Sequence, residues 1–376
     1  MQAELESRTL DSSCSKKRCI CRTSIRKERT FIMSITIKDF GQGYHLLVLT
    51  NKHGLRLAVT DLGARIVSLK AENRELALGF DSAQEYLEKD AYIGASIGRT
   101  AGRIEDGHFT LDDRTYQLSV DPATGHSLHG GSPGFETKKW SYQTIEDEQG
   151  DTVLFTTESP DGEHGFPGNL RVEVRYTLTQ DDIWRVTTRG ISDQTTLFNP
   201  TNHVYFNLSG DITQPIDQHV LWLDSEEYAP LRADSIPLGK KSSVANTPFD
   251  FQEPRQLATV FESDFDQKVL VDGIDHPFFL NEQGLDKVVA FLVSPDEKIK
   301  VSVATDAPSI VVFTANFGEN TPEMRGKNLS DHGGITFETQ IAPGAEQFSD
   351  FGDIKLPPNT PFETTTEFKI ETRKDF

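Results

Sequence analysis

The sequence is poor in cysteine, and its three cysteines, Cys14, Cys19 and Cys21, all lie within the first 32 residues. No disulfide can therefore form within the rest of the chain. Three thiols without a nearby histidine are weak evidence for a metal-binding knuckle. The sequence also lacks an apolar run of about 18 residues and an apolar stretch after its first basic residues, which argues against a membrane-spanning helix and a secretory signal. We therefore expect a cytoplasmic protein.

Positive charge is scarce as well, since 38 lysines and arginines face 58 aspartates and glutamates and the net charge is -20. An acidic surface is unsuited to nucleic acid or to an anionic membrane, so we expect neither as a partner. Eight of the basic side chains lie in residues 1–32, and "MSITIKDFG" from Met33 is typical of the start of a folded protein. We interpret residues 1–33 as a disordered extension and residues 34–376 as a single domain.

Several common catalytic motifs are missing. The sequence contains no Gly-x-x-x-x-Gly-Lys-Ser/Thr phosphate loop, no Gly-x-Ser-x-Gly elbow and no His-Glu-x-x-His. In "HSLHGG", His126 and His129 are three residues apart, a spacing that two metal ligands on a helix can have. The glycines favour a loop instead, and no matching carboxylate accompanies the pair, so we do not predict a metal site.

From about residue 35 onward, the sequence consists of short alternating apolar and polar runs separated by turn residues. Examples are "YHLLVLTN", "LRVEVRYTLTQDD" and "SIVVFTANF", which are rich in Val, Thr, Tyr and Phe. Because amphipathic helices do not separate these runs, they predict an all-β protein, a large antiparallel β-sandwich with few short helices. One helix is predicted at "DSAQEYLEKDAY", residues 81–92, with Asp81 or Ser82 as its N-cap.

One β-prone run carries a histidine. In "LFNPTNHVYFNLSG", residues 197–210, a regular strand places Asn199, Thr201, His203, Tyr205 and Asn207 on one face and mostly apolar residues on the other. A polar face of this composition can hydrogen-bond a polyhydroxylated ligand. The alternative is a buried histidine with a purely structural hydrogen bond.

Four other stretches hold polar residues in specific settings. Arg99 and Arg103 lie in the Gly-rich "SIGRTAGRIEDGHF", and His129 precedes two glycines in "LHGG". Asp275 begins "DHPFF", where an Asx turn is the simpler interpretation. Glu338 lies between Phe337 and Thr339, so its carboxylate is either solvated or buried with a raised pKa, and the buried form is a suitable base.

Taken together, these stretches resemble a known family. They occur in its order and at its approximate spacing, as "GRTAGRI", "LHGG", "DGEHGFPGNL", "TNHVYFNLSG", "DHPF" and "FETQ". On these motifs the chain is identified as a member of the aldose 1-epimerase family, the galactose mutarotases. The resemblance covers residues 34–376, and six motifs in register are far more specific than any one of them.

The resemblance implies a β-sandwich of the galactose mutarotase type and neither a metal nor an organic cofactor. It implies that Glu338 is the general base for the anomeric hydroxyl and that His203 is the general acid for the ring oxygen. Arg103, His129 and Asp275 would bind the sugar hydroxyls. The implied activity is the interconversion of α and β anomers of free aldohexoses such as D-galactose and D-glucose, by a monomer or a homodimer.

Two positions depart from the family pattern and leave the preferred sugar open. Some members have Asn at the position of Gly102, and some have glutamine or an aromatic residue at that of Val311. Alternatives are an epimerase for another reducing sugar such as maltose, a non-catalytic sugar-binding homologue, and a glycosidase with Glu338 and Asp275 as its carboxylate pair. A sugar-phosphate epimerase is disfavoured, because no cluster of arginines and lysines lies near the motifs.

Overall fold

Strands make up most of the regular secondary structure. The computed structural model describes residues 35–89, 92–148 and 150–373, so the predicted extension, residues 1–33, lies outside the described residues. In chain order the strands are β1 (Ile35–Gly41), β2 (Tyr44–Thr50), β3 (Arg56–Thr60), β4 (Arg65–Ala71), β5 (Arg74–Glu75), β6 (Ser96–Ile97), β7 (Arg103–Ile104), β8 (His108–Leu111), β9 (Arg114–Gln117), β10 (Ser127–Leu128), β11 (Ser141–Ile145), β12 (Gly150–Ser159), β13 (Leu170–Thr179), β14 (Ile183–Ser192), β15 (Thr196–Leu197), β16 (Thr201–Asn202), β17 (Tyr205–Phe206), β18 (Val220–Leu223), β19 (Ser225–Tyr228), β20 (Ser242–Ser243), β21 (Arg255–Gln256), β22 (Asp275–Leu280), β23 (Ala290–Val293), β24 (Ile299–Thr305), β25 (Ser309–Phe313), β26 (Glu323–Met324), β27 (Lys327–Asn328), β28 (Ile335–Thr336), β29 (Glu338–Gln340), β30 (Lys355–Leu356) and β31 (Phe362–Thr372).

The largest sheet has nine strands, in the order β11-β12-β13-β14-β31-β24-β23-β18-β21. In β13 the residues at alternate positions, Leu170, Val172, Val174, Tyr176 and Leu178, are buried, while those between them are more exposed. This is the alternation of a strand with one face on the core. The pairings in this sheet are antiparallel, as the sequence pattern predicts.

Two five-stranded sheets complete the main architecture, with the orders β1-β2-β3-β4-β5 and β20-β19-β22-β25-β29. One apolar cluster joins them to the large sheet, because it contains Leu47 of β2, Val174 of β13, Phe278 of β22 and Phe368 of β31. Burial of this shared apolar surface is the main force that holds the layers together. The predicted all-β antiparallel sandwich is therefore confirmed.

Helices are few and short within the described residues: α1 (Ala83–Lys89), α2 (Ala258–Phe261) and α3 (Asp266–Val271), with single 3-10 turns at Glu105–Gly107, Phe135–Thr137, Glu163–Gly165 and Ser349–Phe351. The predicted helix at 81–92 is present as α1, but Tyr92 lies outside it. The Oγ atom of Ser82 accepts a hydrogen bond from the backbone N–H of Glu85, which is the N-cap interaction that the sequence predicts. Within the described chain, no helix is both long and apolar enough to cross a membrane.

The run that carries His203 is not the regular strand that its alternation predicts. It forms two separate pieces, because β16 pairs with β6 and β17 pairs with β28. The side chains of Asn199, Thr201 and Asn207 donate hydrogen bonds to backbone carbonyls. Of the five residues on the predicted polar face, His203 and Tyr205 remain to line a pocket.

Candidate active site

The floor of this pocket is formed by three neighbouring strands, β22, β25 and β29. Their register places Pro277, Val311 and Glu338 side by side in one row, and Asp275 and Phe313 in the row beside it. Because side chains alternate along a strand, residues two apart face the same side, and all five line the pocket. Its volume of about 210 Å³ is small beside the roughly 300–1,000 Å³ of sites for drug-sized ligands, and suits a single sugar ring.

Histidine and aromatic rings form another part of the wall. His129, which follows β10, and His203, between β16 and β17, have ring centroids 5.2 Å apart and nearly perpendicular planes. Tyr92 lies edge-on to His129 at 4.5 Å, and Tyr205 lies 5.1 Å from His203. These contacts hold each imidazole between neighbouring rings and restrict its orientation.

The predicted acid and base, His203 and Glu338, come together in the pocket. The Nε2 atom of His203 is 3.3 Å from Oε1 of Glu338, and the two residues are 4% and 3% exposed. The Oγ1 atom of Thr336 donates a hydrogen bond of 3.0 Å to the same carboxyl oxygen. The Nδ1 atom of His203 has no hydrogen-bond partner among the residues that the structure describes.

Burial determines the protonation of this acid–base pair. It raises the pKa of Glu338 to about 8, and the negative charge of Asp275 adds to the rise. It lowers the pKa of His203 to about 3. Both shifts have one cause, since removal from water disfavours the charged form of each group. At neutral pH the pair therefore holds one proton, and the 3.3 Å separation allows either partner to carry it.

A carboxylate and a guanidinium lie beside the acid–base pair. The partly buried carboxylate of Asp275 has Oδ2 3.8 Å from Nη1 of Arg103. Burial raises the pKa of Asp275 to about 6, and the charge of Arg103 opposes the rise. The backbone N–H of Asp275 donates to Nδ1 of His276, so the ring proton of neutral His276 is on Nε2, 3.0 Å from Oε1 of Gln267. These bonds fix the start of β22 and thereby position Asp275.

His129 is held by the backbone of a glycine. The N–H of Gly102 donates to Nδ1 of His129 at 3.2 Å, and the N–H of His129 donates to the carbonyl of Gly102 at 3.0 Å. Burial, with the neighbouring His203 and Arg103, lowers the pKa of His129 well below its ordinary value. A neutral imidazole that accepts at Nδ1 carries its proton on Nε2, so His129 is a hydrogen-bond donor in the pocket.

All five residues predicted to form the site line this one pocket: Arg103, His129, His203, Asp275 and Glu338. They come from separate segments, and the pairing of short strands far apart in the sequence brings them together.

Arg99, which lies in the same Gly-rich stretch as Arg103, has a different role. It is 2% exposed, and its guanidinium donates hydrogen bonds to backbone carbonyls of the last residue of β12 and of the loop that follows it. It therefore stabilises that loop and does not line the pocket.

A loop at residues 231–237, which was not predicted, contributes Leu231, Ser235 and Pro237 to the pocket. Arg232 in this loop forms ion pairs with Glu105 and Asp234, and Oδ2 of Asp234 lies 3.4 Å from Nε2 of His126. These contacts attach the loop to the segment beside β7 and β10. No motif or periodicity marks the loop, because its partners lie far away in the sequence.

Three aromatic residues and one amide of the pocket, Tyr92, Phe313, Phe317 and Gln340, also had no role predicted from the sequence. One available signal was the spacing of Gln340, two residues after Glu338. Strand alternation places two such residues on the same face. No comparable signal marked the aromatic residues.

Both positions that depart from the family pattern lie in the pocket wall. Gly102 has a φ of +75°, and a Cβ atom at this position would lie 2.4 Å from Cγ of Pro343. A side chain at position 102 would therefore clash with Pro343 as well as strain the backbone. Val311 lies on the floor between Pro277 and Glu338, where its apolar side chain contributes shape but no hydrogen bond.

An all-β sandwich with a buried carboxyl–imidazole pair and several other polar side chains in one small pocket defines a class of protein, an enzyme that moves protons on a small hydroxylated molecule. Comparisons with known proteins identify the family. The profile of the family described as Aldose 1-epimerase matches residues 45–369. The chain belongs to this family, as the six motifs predict.

Individual relatives support the same assignment. Aldose 1-epimerase of Escherichia coli K12 is 37% identical over 339 residues, which cover 88% of this chain and 96% of the relative. Galactose mutarotase of Bos taurus is 34% identical over 322 residues, which cover 84% and 91%. The crystal structure of galactose 1-epimerase from Lactobacillus acidophilus NCFM superposes with a TM-score of 0.82 at 28% identity, over 90% of this chain and 99% of the other. The predicted galactose mutarotase type of sandwich is thus confirmed.

Proposed function

We propose that this chain interconverts the α and β anomers of free aldohexoses, with D-galactose and D-glucose as the first candidates. The observation that carries the proposal is the 3.3 Å approach of Nε2 of His203 to Oε1 of Glu338 within a small pocket. Ring opening requires a proton acceptor and a proton donor close together, because the hydroxyl at C1 loses a proton while the ring oxygen O5 gains one. The names of the relatives, aldose 1-epimerase and galactose mutarotase, agree with this chemistry.

In the forward step, the carboxylate of Glu338 takes the proton of the anomeric hydroxyl. The electron pair of that O–H bond forms the C1=O double bond, the C1–O5 bond breaks, and protonated His203 supplies a proton to O5. The aldehyde group then turns about the C1–C2 bond, and O5 attacks the other face of C1. As O5 attacks, its proton returns to His203 and Glu338 gives its proton back to the oxygen at C1, so both groups regain their starting forms and no atom is gained or lost.

The reactive form of the pair, carboxylate and imidazolium, contains the single proton that the pair holds at neutral pH. Burial alone favours the other arrangement, with that proton on Glu338 and a neutral His203. Sugar hydroxyls that hydrogen-bond the pair favour the ionised form. A positioned acid or base contributes roughly 10²–10⁴-fold, which lowers the barrier by about 3–5 kcal/mol. This is sufficient for a reaction that already proceeds slowly in water.

The remaining polar residues orient the ring. The carboxylate of Asp275 accepts hydrogen bonds from sugar hydroxyls, and Arg103 and Nε2 of His129 donate them. Three groups from three separate segments define one orientation, which directs C1 and O5 toward the acid–base pair. Of the described residues that line the pocket, Arg103 alone has a permanent positive charge, and it already pairs with Asp275. The proposal is therefore for a neutral sugar and not for a sugar phosphate.

The test is the rate of anomer exchange of D-galactose and D-glucose, measured by NMR and by polarimetry from fresh α anomers. We expect clear acceleration over buffer by the unmodified protein, and a loss of about 10²–10⁴-fold in kcat for Glu338→Gln and for His203→Asn. A matched control is Glu227→Gln, since Glu227 is an exposed glutamate on β19 in the same sheet as Glu338. This control should retain full activity.

The same variants separate the alternatives. A sugar-binding homologue would bind the sugars without accelerating exchange in any form of the protein. A glycosidase would release a new reducing end from a glycoside, whereas the proposed epimerase leaves glycosides intact. No acceleration by the unmodified protein with galactose, glucose or maltose would refute the proposal.

A further inference from the structure

One polar side chain of the pocket has no part in the chemistry described so far. Gln340 lines the pocket and is 2% exposed, yet neither Oε1 nor Nε2 of its amide has a hydrogen-bond partner within residues 35–89, 92–148 and 150–373. A buried amide without partners is unfavourable, because it has lost its hydrogen bonds to water. Such a group in a pocket calls for a partner that enters from outside.

The strand register fixes where this amide lies. Gln340 and Glu338 are two residues apart on β29, so they share a face and lie about 6.6–6.8 Å apart along the strand. Gln340 is paired with Ser309, in the row on one side of Glu338. The row of Asp275 lies on the other side. The base thus lies between a carboxylate and an amide that face the same pocket.

The backbone around Gln340 is held firmly, while its side chain is not used. The hydroxyl of Ser309 donates to the carbonyl of Gln340 at 2.6 Å. The side-chain oxygen of Asn199 accepts from the N–H of Ile341 at 3.0 Å, and the hydroxyl of Thr339 bonds that of Thr366 on the other face. These contacts fix the strand without satisfying the amide, so the amide is already in place for a ligand.

We propose that Gln340 is a further substrate-binding residue, whose amide hydrogen-bonds the C2 hydroxyl of the sugar. This inference rests on the proposed function, in which Glu338 receives the proton of the C1 hydroxyl. The rows of Asp275 and Gln340 flank that of Glu338 on opposite sides, so the two side chains bind hydroxyls on opposite sides of C1. An amide suits a hydroxyl because it offers one acceptor and two donors, and a hydroxyl can both donate and accept.

The test compares D-glucose with 2-deoxy-D-glucose, using the full chain and the variant Gln340→Met, which nearly preserves the volume but cannot form the hydrogen bond. For D-glucose we expect kcat/KM to fall about tenfold, mainly through KM. For the 2-deoxy sugar, the variant and the unmodified protein should agree within about twofold. Equal losses for both sugars, or no loss for either, would overturn the assignment.

Two controls exclude a structural explanation. Thr339→Val alters the neighbouring residue, whose hydroxyl bonds Thr366 away from the pocket, and should leave both sugars unaffected. Gln340→Leu removes the amide in a second way and should reproduce the sugar-dependent pattern of Gln340→Met. A structural role would instead lower the melting temperature and weaken activity toward both sugars alike.

Direct binding separates this inference from the proposed function. Affinity for each sugar is measured by NMR titration in Glu338→Gln, with and without Gln340→Met. A loss confined to D-glucose supports the role of Gln340, even where the unmodified protein proves inactive and the epimerase proposal fails. Normal anomer exchange by the unmodified protein with no effect of Gln340→Met on affinity would refute the role of Gln340 alone.

Discussion

Replacing the buried carboxyl of Glu338 by an amide is expected to stabilise the fold, and to do so more strongly as the pH rises. Burial raises the pKa of Glu338 from its ordinary value of 4.5 to about 8. Below pH 4.5 the carboxyl is protonated in both the folded and the unfolded chain, and its pH-dependent contribution to stability is fully present. Between pH 4.5 and about 8 the unfolded chain releases the proton while the folded chain keeps it, so stability falls with rising pH.

The magnitude follows from this pKa difference. Each pH unit in that window lowers the free energy of unfolding by about 1.4 kcal/mol, which amounts to ~5 kcal/mol over the whole window as an upper estimate. Gln cannot ionise, and its Oε1 can still accept the hydrogen bond that Thr336 donates to Glu338. The difference in unfolding free energy between Glu338→Gln and the unmodified protein should therefore grow from pH 4.5 to 8 and level off above.

Urea unfolding curves at half-unit steps from pH 4.5 to 8.5 measure this difference. His203 titrates in the opposite sense: burial lowers its pKa from 6.5 to about 3, so its contribution is present above pH 6.5 and lost as the pH falls. Because His203 is present in both proteins, its effect is largely removed in the comparison. A stability difference that does not change with pH would refute the buried, proton-retaining carboxyl.

Three other perturbations have defined outcomes. The pH profile of kcat/KM should fall above about pH 8, as the acid–base pair loses its single proton. Asp275→Asn should move this alkaline limb to lower pH, because it removes a negative charge that raises the pKa of Glu338. An unmoved limb would contradict this coupling. Arg232→Ala should release the loop 231–237 and raise KM about two- to fivefold with kcat nearly unchanged, because a partly exposed ion pair contributes stability of this order. An unchanged KM would show that the ion pair does not position the loop. Gly102→Asn should lower the melting temperature and raise KM, because the Cβ atom of the new side chain would clash with Pro343. Adding Pro343→Gly should partly restore both quantities. No restoration would indicate that backbone strain alone causes the loss.

The sequence predicted the fold well wherever local pattern decides the structure. The alternation in residues 170–178 identifies β13 directly, since one face of that strand packs on the core. The N-cap at Ser82 is likewise a local signal, and it predicts the start of α1 within a residue or two. The run around His203 was predicted less well. Its two pieces pair with β6 and β28, and this distant pairing overrides the local alternation.

The residues of the site likewise differ in whether the sequence could identify them. The motifs brought out Glu338 and the other four predicted residues, because a resemblance over the whole chain carries their positions. Arg232 was not predictable, since its importance depends on Glu105, a partner 127 residues away in sequence. Gln340 was not singled out for a different reason. Its spacing from Glu338 indicates a shared face, but the lack of a hydrogen-bond partner within the described structure, which gives the residue its interest, is not visible in the sequence.

The most direct test of the central claim is a double-variant cycle on anomer exchange of D-galactose, measured by NMR exchange spectroscopy. If Glu338 and His203 act on one sugar as a single proton-transferring pair, either Glu338→Gln or His203→Asn alone should remove most of the acceleration. The anomer-exchange rate of the double variant should then be no more than about tenfold below that of the less active single variant. Losses that multiply fully in the double variant would show two independent groups and would contradict the account.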